Sequence, residues 1–290
     1  MRNLNKNLRS LKISLITLSL LFISIGFQNC SKVTFSSLKD QSTTTGGGPT
    51  QTCTEVLQTT TKNIRILFMV DNSGSTLSTD PNLYFRDQTI KTFLNQYGSK
   101  ANFTYSFGYF GSNNASLSDM NTNQFIALSN INANAPNSYL PFGNALQMNQ
   151  SLISYENTPV LSSANTPYIK AFSAIQTTID NDPVDPNYPV SYAVVFMSDG
   201  MPNPAMSDLE IQAQIDQLFQ NVAARNQLIS LNTVYFGPAA NSSTQAAQAM
   251  ARLQTMALSG AGQFVDTNQT GGQLTIDSVV TVPGIVCTTK

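Results

Sequence analysis

The sequence predicts an α/β protein: a doubly wound, mostly parallel sheet flanked by helices. Three observations predict it. Residues 64–70 (Ile-Arg-Ile-Leu-Phe-Met-Val) are apolar at six of seven positions without alternation, which marks a strand buried on both faces. Residues 190–197 and 229–236 are further apolar runs of strand length. Between these runs, apolar residues recur at helical spacing: Tyr168, Phe172, Ile175 and Ile179, then Ile211, Ile215, Leu218 and Val222. Strands alternating with helices imply parallel pairing and right-handed crossovers.

The first buried run ends in Asp71-Asn72-Ser73-Gly74-Ser75. Ligand sites of open α/β sheets lie beyond the carboxyl ends of the strands. Alternate spacing through Gly74 lets the Asp71, Ser73 and Ser75 oxygens turn toward one point. Three oxygen donors suit a hard cation such as Mg²⁺, Mn²⁺ or Ca²⁺.

Residues 81–97 read as a helix with Ile90, Phe93, Leu94 and Tyr97 on one face and Gly98 as its stop. Residues 102–110 alternate, with Phe103, Tyr105, Phe107 and Tyr109 on one side, so a strand with a less buried second face is expected. A short strand near 124–128 is expected at the sheet edge. Residues 111–165 otherwise read as an irregular insertion, rich in Asn, Ser and Pro, with a helix near 143–154. Residues 132–141 and 157–165 read as loops. The second precedes Thr166; the insertion is either a specificity element or neutral.

Thr166-Pro167 opens the next helix, threonine as N-cap and proline in the first turn. The strand at 190–197 ends in Ser198-Asp199-Gly200. Asp199 there would put a second carboxylate beside Asp71, and two carboxylates repel unless a cation lies between them. A plain Asp-Gly turn is the alternative. A helix at 207–225, the strand at 229–236, a helix at 243–258 capped by Ser242 or Ser243 with Gly260 beyond it, and a strand at 262–265 follow. Residues 274–282 read as a last helix or strand.

Together, Asp71-x-Ser73-x-Ser75 after a first buried strand, Thr166 on a second loop and Asp199 after a later strand resemble the metal-ion-dependent adhesion site (MIDAS) of von Willebrand factor A (VWA) domains. The resemblance covers about residues 60–280, with Ser198 where the family more often has threonine. It implies a Rossmann-like fold. It also implies that Ser73, Ser75 and Thr166 contact Mg²⁺ (or Mn²⁺ or Ca²⁺) through hydroxyls, with Asp71 and Asp199 acting partly through bound water. An open coordination position would accept an Asp or Glu carboxylate of a partner protein. The alternative within the same family is an assembly scaffold in an envelope complex, its metal mainly stabilising.

Enzyme readings have less support, and no catalytic residue is expected. The chain has no histidine, which excludes imidazole bases and ligands. Position 73 is serine, so the Asp-x-Asp of aspartyl-phosphate enzymes is incomplete, and no phosphate loop occurs. Only 11% of residues are charged and no basic patch exists, so no nucleic acid is expected as partner.

Residues 1–29 read as a signal peptide. Arg2, Lys6, Arg9 and Lys12 precede an apolar stretch at 13–27, short of the ~20 residues a spanning helix needs. Cys30 follows and resembles the lipid-attachment cysteine of bacterial lipoproteins, with Asn29 where those carry a small residue. Ser31 resembles the outer-membrane sorting position. An ordinary secretory signal or a transmembrane anchor are the other readings. The resemblance implies a lipid-anchored protein of the bacterial envelope. Removing residues 1–29 takes four of 15 basic residues and none of 16 acidic ones, leaving 11 against 16. Residues 30–52 then form the anchor and a Ser/Thr/Gly-rich tether of average span roughly 25 Å, and 53–290 the domain. Cys53 and Cys287 flank that domain. Export permits a Cys53–Cys287 disulfide, and domain termini often lie close; two unpaired thiols are the alternative.

Overall fold

The strands lie where the apolar runs predict. The computed structural model describes residues 51–54, 63–131, 139–160, 162–183, 190–239, 242–279 and 286–289, with only the backbone for 51–54, 277 and 286–289. Thr52–Thr288 form one compact unit. The expected signal segment, Cys30 and the tether to residue 50 lie outside the described residues. Among the described residues no helix is long and apolar enough to cross a membrane.

The strands are β1 (Gln51–Thr54), β2 (Asn63–Asp71), β3 (Phe103–Gly111), β4 (Asn114–Asp119), β5 (Gln124–Ala127), β6 (Val190–Ser198), β7 (Leu228–Tyr235), β8 (Ala261–Asp266) and β9 (Val286–Thr289). The long helices are α1 (Thr89–Tyr97), α2 (Ala145–Glu156), α3 (Tyr168–Asp180), α4 (Asp208–Ala224) and α5 (Thr244–Ser259). Seven strands form one mixed sheet in the order β5-β4-β3-β2-β6-β7-β8. Five are parallel, and β4 and β5 add an antiparallel edge. The chain is therefore α/β, with a mostly parallel sheet between two helical layers.

β2 is central and covered on both sides. Ile66, Phe68 and Val70 pack with α1 and α2, whereas Leu67 and Met69 pack with α3, α4 and α5. Each such side chain contributes on the order of 1.5–3 kcal/mol by leaving water. From β2 the chain crosses to β3 on one side and later returns as β6 on the other. The gap between the carboxyl ends of β2 and β6 is thus the switch point, where open α/β sheets leave a crevice.

Three expectations change. The helix expected over 81–97 begins as a π-helical turn, Tyr84–Gln88, before α1. Leu83 sits at φ 56°, and its carbonyl accepts the amides of both Asp87 and Gln88, which widens the turn. The second face of β3 is not open, because Ser106 and Phe110 are buried on it, Phe110 packing on Tyr168 of α3. Within residues 111–165 the expected strand and helix are present as β5 and α2, and the unexpected element is β4, Asn114–Asp119, in a stretch read as irregular. Ser112 and Asn113, at φ 51° and 62°, make a two-residue hairpin turn between Gly111 and Asn114. The last stretch takes the helical one of its two readings as far as it is described: Ile276–Val279 is a single helical turn, and 280–285 lie outside the described residues.

Helix starts follow local chemistry. Ser207 and Glu210 cap α4 reciprocally, and the Ser243 side chain accepts the Ala246 amide at the start of α5. β1 and β9 pair in a separate two-stranded sheet. They carry Cys53 and Cys287, whose side chains lie outside the described residues.

Candidate metal centre

Asp71 is the last residue of β2 and is fully buried. The register that pairs Val70 with Met197 brings it beside Ser198. Ser198 Oγ donates to Asp71 Oδ2 at 2.6 Å, and the Ser73 amide donates to Oδ1 at 2.8 Å. Both carboxylate oxygens are therefore fixed by the first turn of the loop and by the neighbouring strand.

Beyond Asp71 the chain turns at once. Ser73 carbonyl accepts the Thr76 hydroxyl at 2.7 Å, and a helical turn, Thr76–Thr79, follows. This aims the two serine hydroxyls together, with Ser73 Oγ 3.0 Å from Ser75 Oγ. Ser75 Oγ donates to Asp199 Oδ1 at 2.9 Å, and Thr79 Oγ1 donates to the other oxygen of Asp199. Ser73, Ser75 and Asp199 thus form one chain of oxygens, leading from buried Ser73 to exposed Ser75.

Thr166 arrives on a third loop. The Gly74 amide donates to Ala164 carbonyl at 2.9 Å, and the Asn203 amide donates to Thr166 carbonyl at 2.9 Å. The Thr166 loop is therefore stitched to both carboxylate loops. The expectation that Thr166 caps the next helix is corrected. Pro167 is the N-cap of α3, at ψ 81°, and no side chain caps this end. Proline has no amide to bond and its ring fixes φ, so the helix begins one residue later than a threonine cap would start it. Thr166 is only 7% exposed, and its hydroxyl is left free of the capping role.

The electrostatics of the site are unfavourable without a counter-charge. Burial, and then the negative charge of Asp199, push the Asp71 carboxyl up to about 7 against the donors Ser198 and Ser73. Burial also raises Asp199, opposed by the Thr79 and Ser75 hydroxyls and the Arg86 charge. Among the described residues no three His, Cys, Asp or Glu side chains converge, so any ion here would be held by two carboxylates and hydroxyls. The donors present fit that role. Their 2.9–3.0 Å separations equal the edge of an octahedron with bonds of ~2.1 Å, about 3.0 Å.

No protein-family model and no curated protein matches the chain. Solved structures similar to it share little sequence. Proximal thread matrix protein 1 from the mussel byssus matches at TM-score 0.42 and 13% identity, over 71% of this chain and 42% of its own. A mutant PilB minor pilin from Streptococcus sanguinis matches at 0.45 and 11%, over 73% and 58%. The pilus adhesin SpaC from Lactobacillus rhamnosus GG, in its open conformation, matches at 0.49 and 11%, over 73% and 28%. The chain spans less than two thirds of each.

The structure adds residues that the sequence did not single out. Thr79 reaches Asp199 because it lies one helical turn beyond Ser75. Tyr168 Oη donates to Ser198 Oγ at 3.1 Å and to Gly200 carbonyl at 2.9 Å, holding the second carboxylate loop from α3. Two glycines press on the ligand loops. A Cβ at Gly111 would lie 2.7 Å from Asn72 carbonyl oxygen, and one at Gly237 would lie 2.5 Å from that of Asp199. Only a missing side chain allows backbones this close. A glycine just past a strand gives a sequence signal, though an ambiguous one.

Proposed function

We propose that residues 53–290 are a VWA domain with a MIDAS, and that the protein is a divalent-cation-dependent protein-binding module rather than an enzyme. One observation carries this reading. Two buried carboxylates, Asp71 and Asp199, meet the Ser73 and Ser75 hydroxyls at the switch point of the sheet. Asp71, Ser73, Ser75, Thr166 and Asp199 would hold the cation, Mg²⁺ or else Mn²⁺ or Ca²⁺. When bound, it would offer an open position to an Asp or Glu side chain of a partner protein. The residues around it do the rest. Ser198 and the Ser73 amide keep both Asp71 oxygens from rotating, and exposed Ser75 marks the side from which a partner carboxylate enters.

The deciding experiment is calorimetric titration of Mg²⁺ and Mn²⁺ into EDTA-stripped, desalted protein. Saturable one-site binding, weakened by Asp71→Ala and Thr166→Ala, is the expected result. No binding at millimolar cation would leave the assembly-scaffold reading, in which the hydroxyl–carboxylate network merely ties three loops together.

Lipid attachment at Cys30 and an outer-membrane location belong to the same proposal, with Cys30→Ser expected to abolish acyl labelling. So does the Cys53–Cys287 bridge. Its support is that the strands carrying the two cysteines pair with each other. Closing so long a loop would stabilise by ~5 kcal/mol in the chain-entropy account. Non-reducing peptide mapping should return one linked peptide; two free thiols would remove the bridge.

A further inference from the structure

Arg86 is the one lysine or arginine among the described residues that is fully buried. A guanidinium taken out of water must be met on every side. Asp80 supplies a carboxylate oxygen 3.1 Å from Nε and its carbonyl oxygen 2.8 Å from Nη2. The remaining nitrogen, Nη1, donates to Asn72 Oδ1 at 2.8 Å and to Tyr155 Oη at 3.3 Å. Tyr155 in turn donates to the same Asn72 oxygen at 3.0 Å. Burial pushes the Tyr155 phenol up, so it stays a donor. One amide oxygen of Asn72 is thus gripped from two directions, by Arg86 from the π-helical turn and by Tyr155 from α2.

Asn72 lies between two of the proposed cation ligands. Its neighbours Asp71 and Ser73 face one way along the strand end, and its own side chain faces the opposite helical layer. The Asn72 amide donates to Phe110 carbonyl at 2.8 Å. Backbone and side chain are therefore both held, and the turn from Asp71 to Ser73 has little freedom left. Delivering Arg86 to this place requires uncommon backbone: Leu83 at φ 56° and the wide turn that follows it. A bulky residue in the left-handed region persists only where the surroundings impose it.

We propose that Arg86 is a positioning residue: gripping Asn72 together with Tyr155, it presets the Asp71–Ser75 loop for a divalent cation before the ion arrives. This rests on the cation reading above. It gives Arg86 a role that an ordinary core ion pair would not have. The Arg86–Asp80 pair alone would satisfy most of the buried charge; the contact to Asn72 transmits that rigidity to the ligands.

The test uses the full chain, with Mn²⁺ alone as probe. Asn72→Ala removes the grip but leaves the Arg86–Asp80 pair intact, so folding should survive where Arg86→Met could fail. In metal-free protein, hydrogen exchange of the Ser73–Thr76 amides should quicken at least about tenfold, while α5 amides keep their wild-type protection. Mn²⁺ affinity should fall about tenfold, as for removal of groups that orient metal ligands. Asn72→Asp, which keeps an acceptor for Arg86 and Tyr155, should restore loop protection. Tyr155→Phe should lie between wild type and Asn72→Ala. Unchanged loop exchange in Asn72→Ala overturns the proposal, whatever the wild type does with Mn²⁺. A protected wild-type loop that binds no Mn²⁺ would instead sink the cation reading, and the presetting role with it.

Discussion

Two parallel strands of this sheet end in a buried aspartate, and only one of these faces a carboxylate from another strand's loop. β2 ends in Asp71 and β8 in Asp266. Asp266 is served from within its own turn. Its oxygens accept the amide and side chain of Asn268 and the side chain of Gln269, and it caps the short helix Thr267–Thr270. Asp71 instead takes a donor from another strand, Ser198, and faces the charge of Asp199. The residue type and the strand end are the same. What differs is the place in the sheet. β8 lies at the edge with only β7 beside it, whereas β2 borders the switch point, where the chain leaves in opposite directions, from β2 to β3 and from β6 to β7.

The sharpest break of this comparison is at Asp71. Asp71→Ala should lower Mg²⁺ affinity by at least about 100-fold, beyond the 10–100-fold typical of residues that only orient ligands. Calorimetry reads this directly, and a loss under tenfold would place the site elsewhere. A smaller effect is expected one shell out. Gly111→Ala places a methyl against the Asn72 carbonyl and should weaken Mg²⁺ binding about tenfold by tilting the Asp71–Ser73 turn. Affinity equal to wild type would mean that β3 yields instead of the loop.

The pH dependence of the metal-free protein sharpens the same contrast. Asp71 is raised in the folded state from 3.8 to about 7. A raised carboxyl penalises the folded state when ionised. That penalty is full above pH 7, shrinks as the folded protein takes up the proton, and is gone below the unfolded value of 3.8. Stripped wild type should therefore gain melting temperature relative to Asp71→Asn as pH falls from 8 to 5. Adding Mg²⁺ should raise the melting temperature more at pH 8 than at pH 5. A difference between the two proteins that is flat with pH would show that Asp71 does not titrate in this range.

The parts of this site that could be read from sequence are those where a pattern breaks. An apolar run that stops at an acid marks Asp71, and a second one marks Asp199. The serine spacing follows from the first. The parts that could not be read depend on distant partners. Arg86 lies in a stretch that reads as an ordinary amphipathic helix, where a lone arginine suggests solvent. Its burial depends on Asp80, Asn72 and Tyr155, the last on a helix 69 residues away. β4 was hidden because its hairpin turn uses Ser112-Asn113 in place of the glycine-containing pairs that announce such turns. The cap expected of Thr166 also fails from sequence, since the helix start belongs to Pro167.

The smallest effect is expected at the other aspartate, and it is the control that gives the comparison its meaning. Asp266→Ala removes the side chain that accepts the Asn268 amide, at a cost of about 1 kcal/mol for a lost cap. Asp266 shares no hydrogen bond with the Asp71 or Asp199 loops. Cation affinity should therefore stay within about twofold of wild type, because effects at sites without shared partners add independently. The stability loss is read from denaturant midpoints, and the affinity from the titration used for Asp71→Ala. An affinity loss at Asp266 comparable to that at Asp71 would make any buried acid at this end of the sheet sufficient. An unchanged affinity would locate the chemistry at the crevice between β2 and β6, where strand order and not residue type brings the second carboxylate within reach.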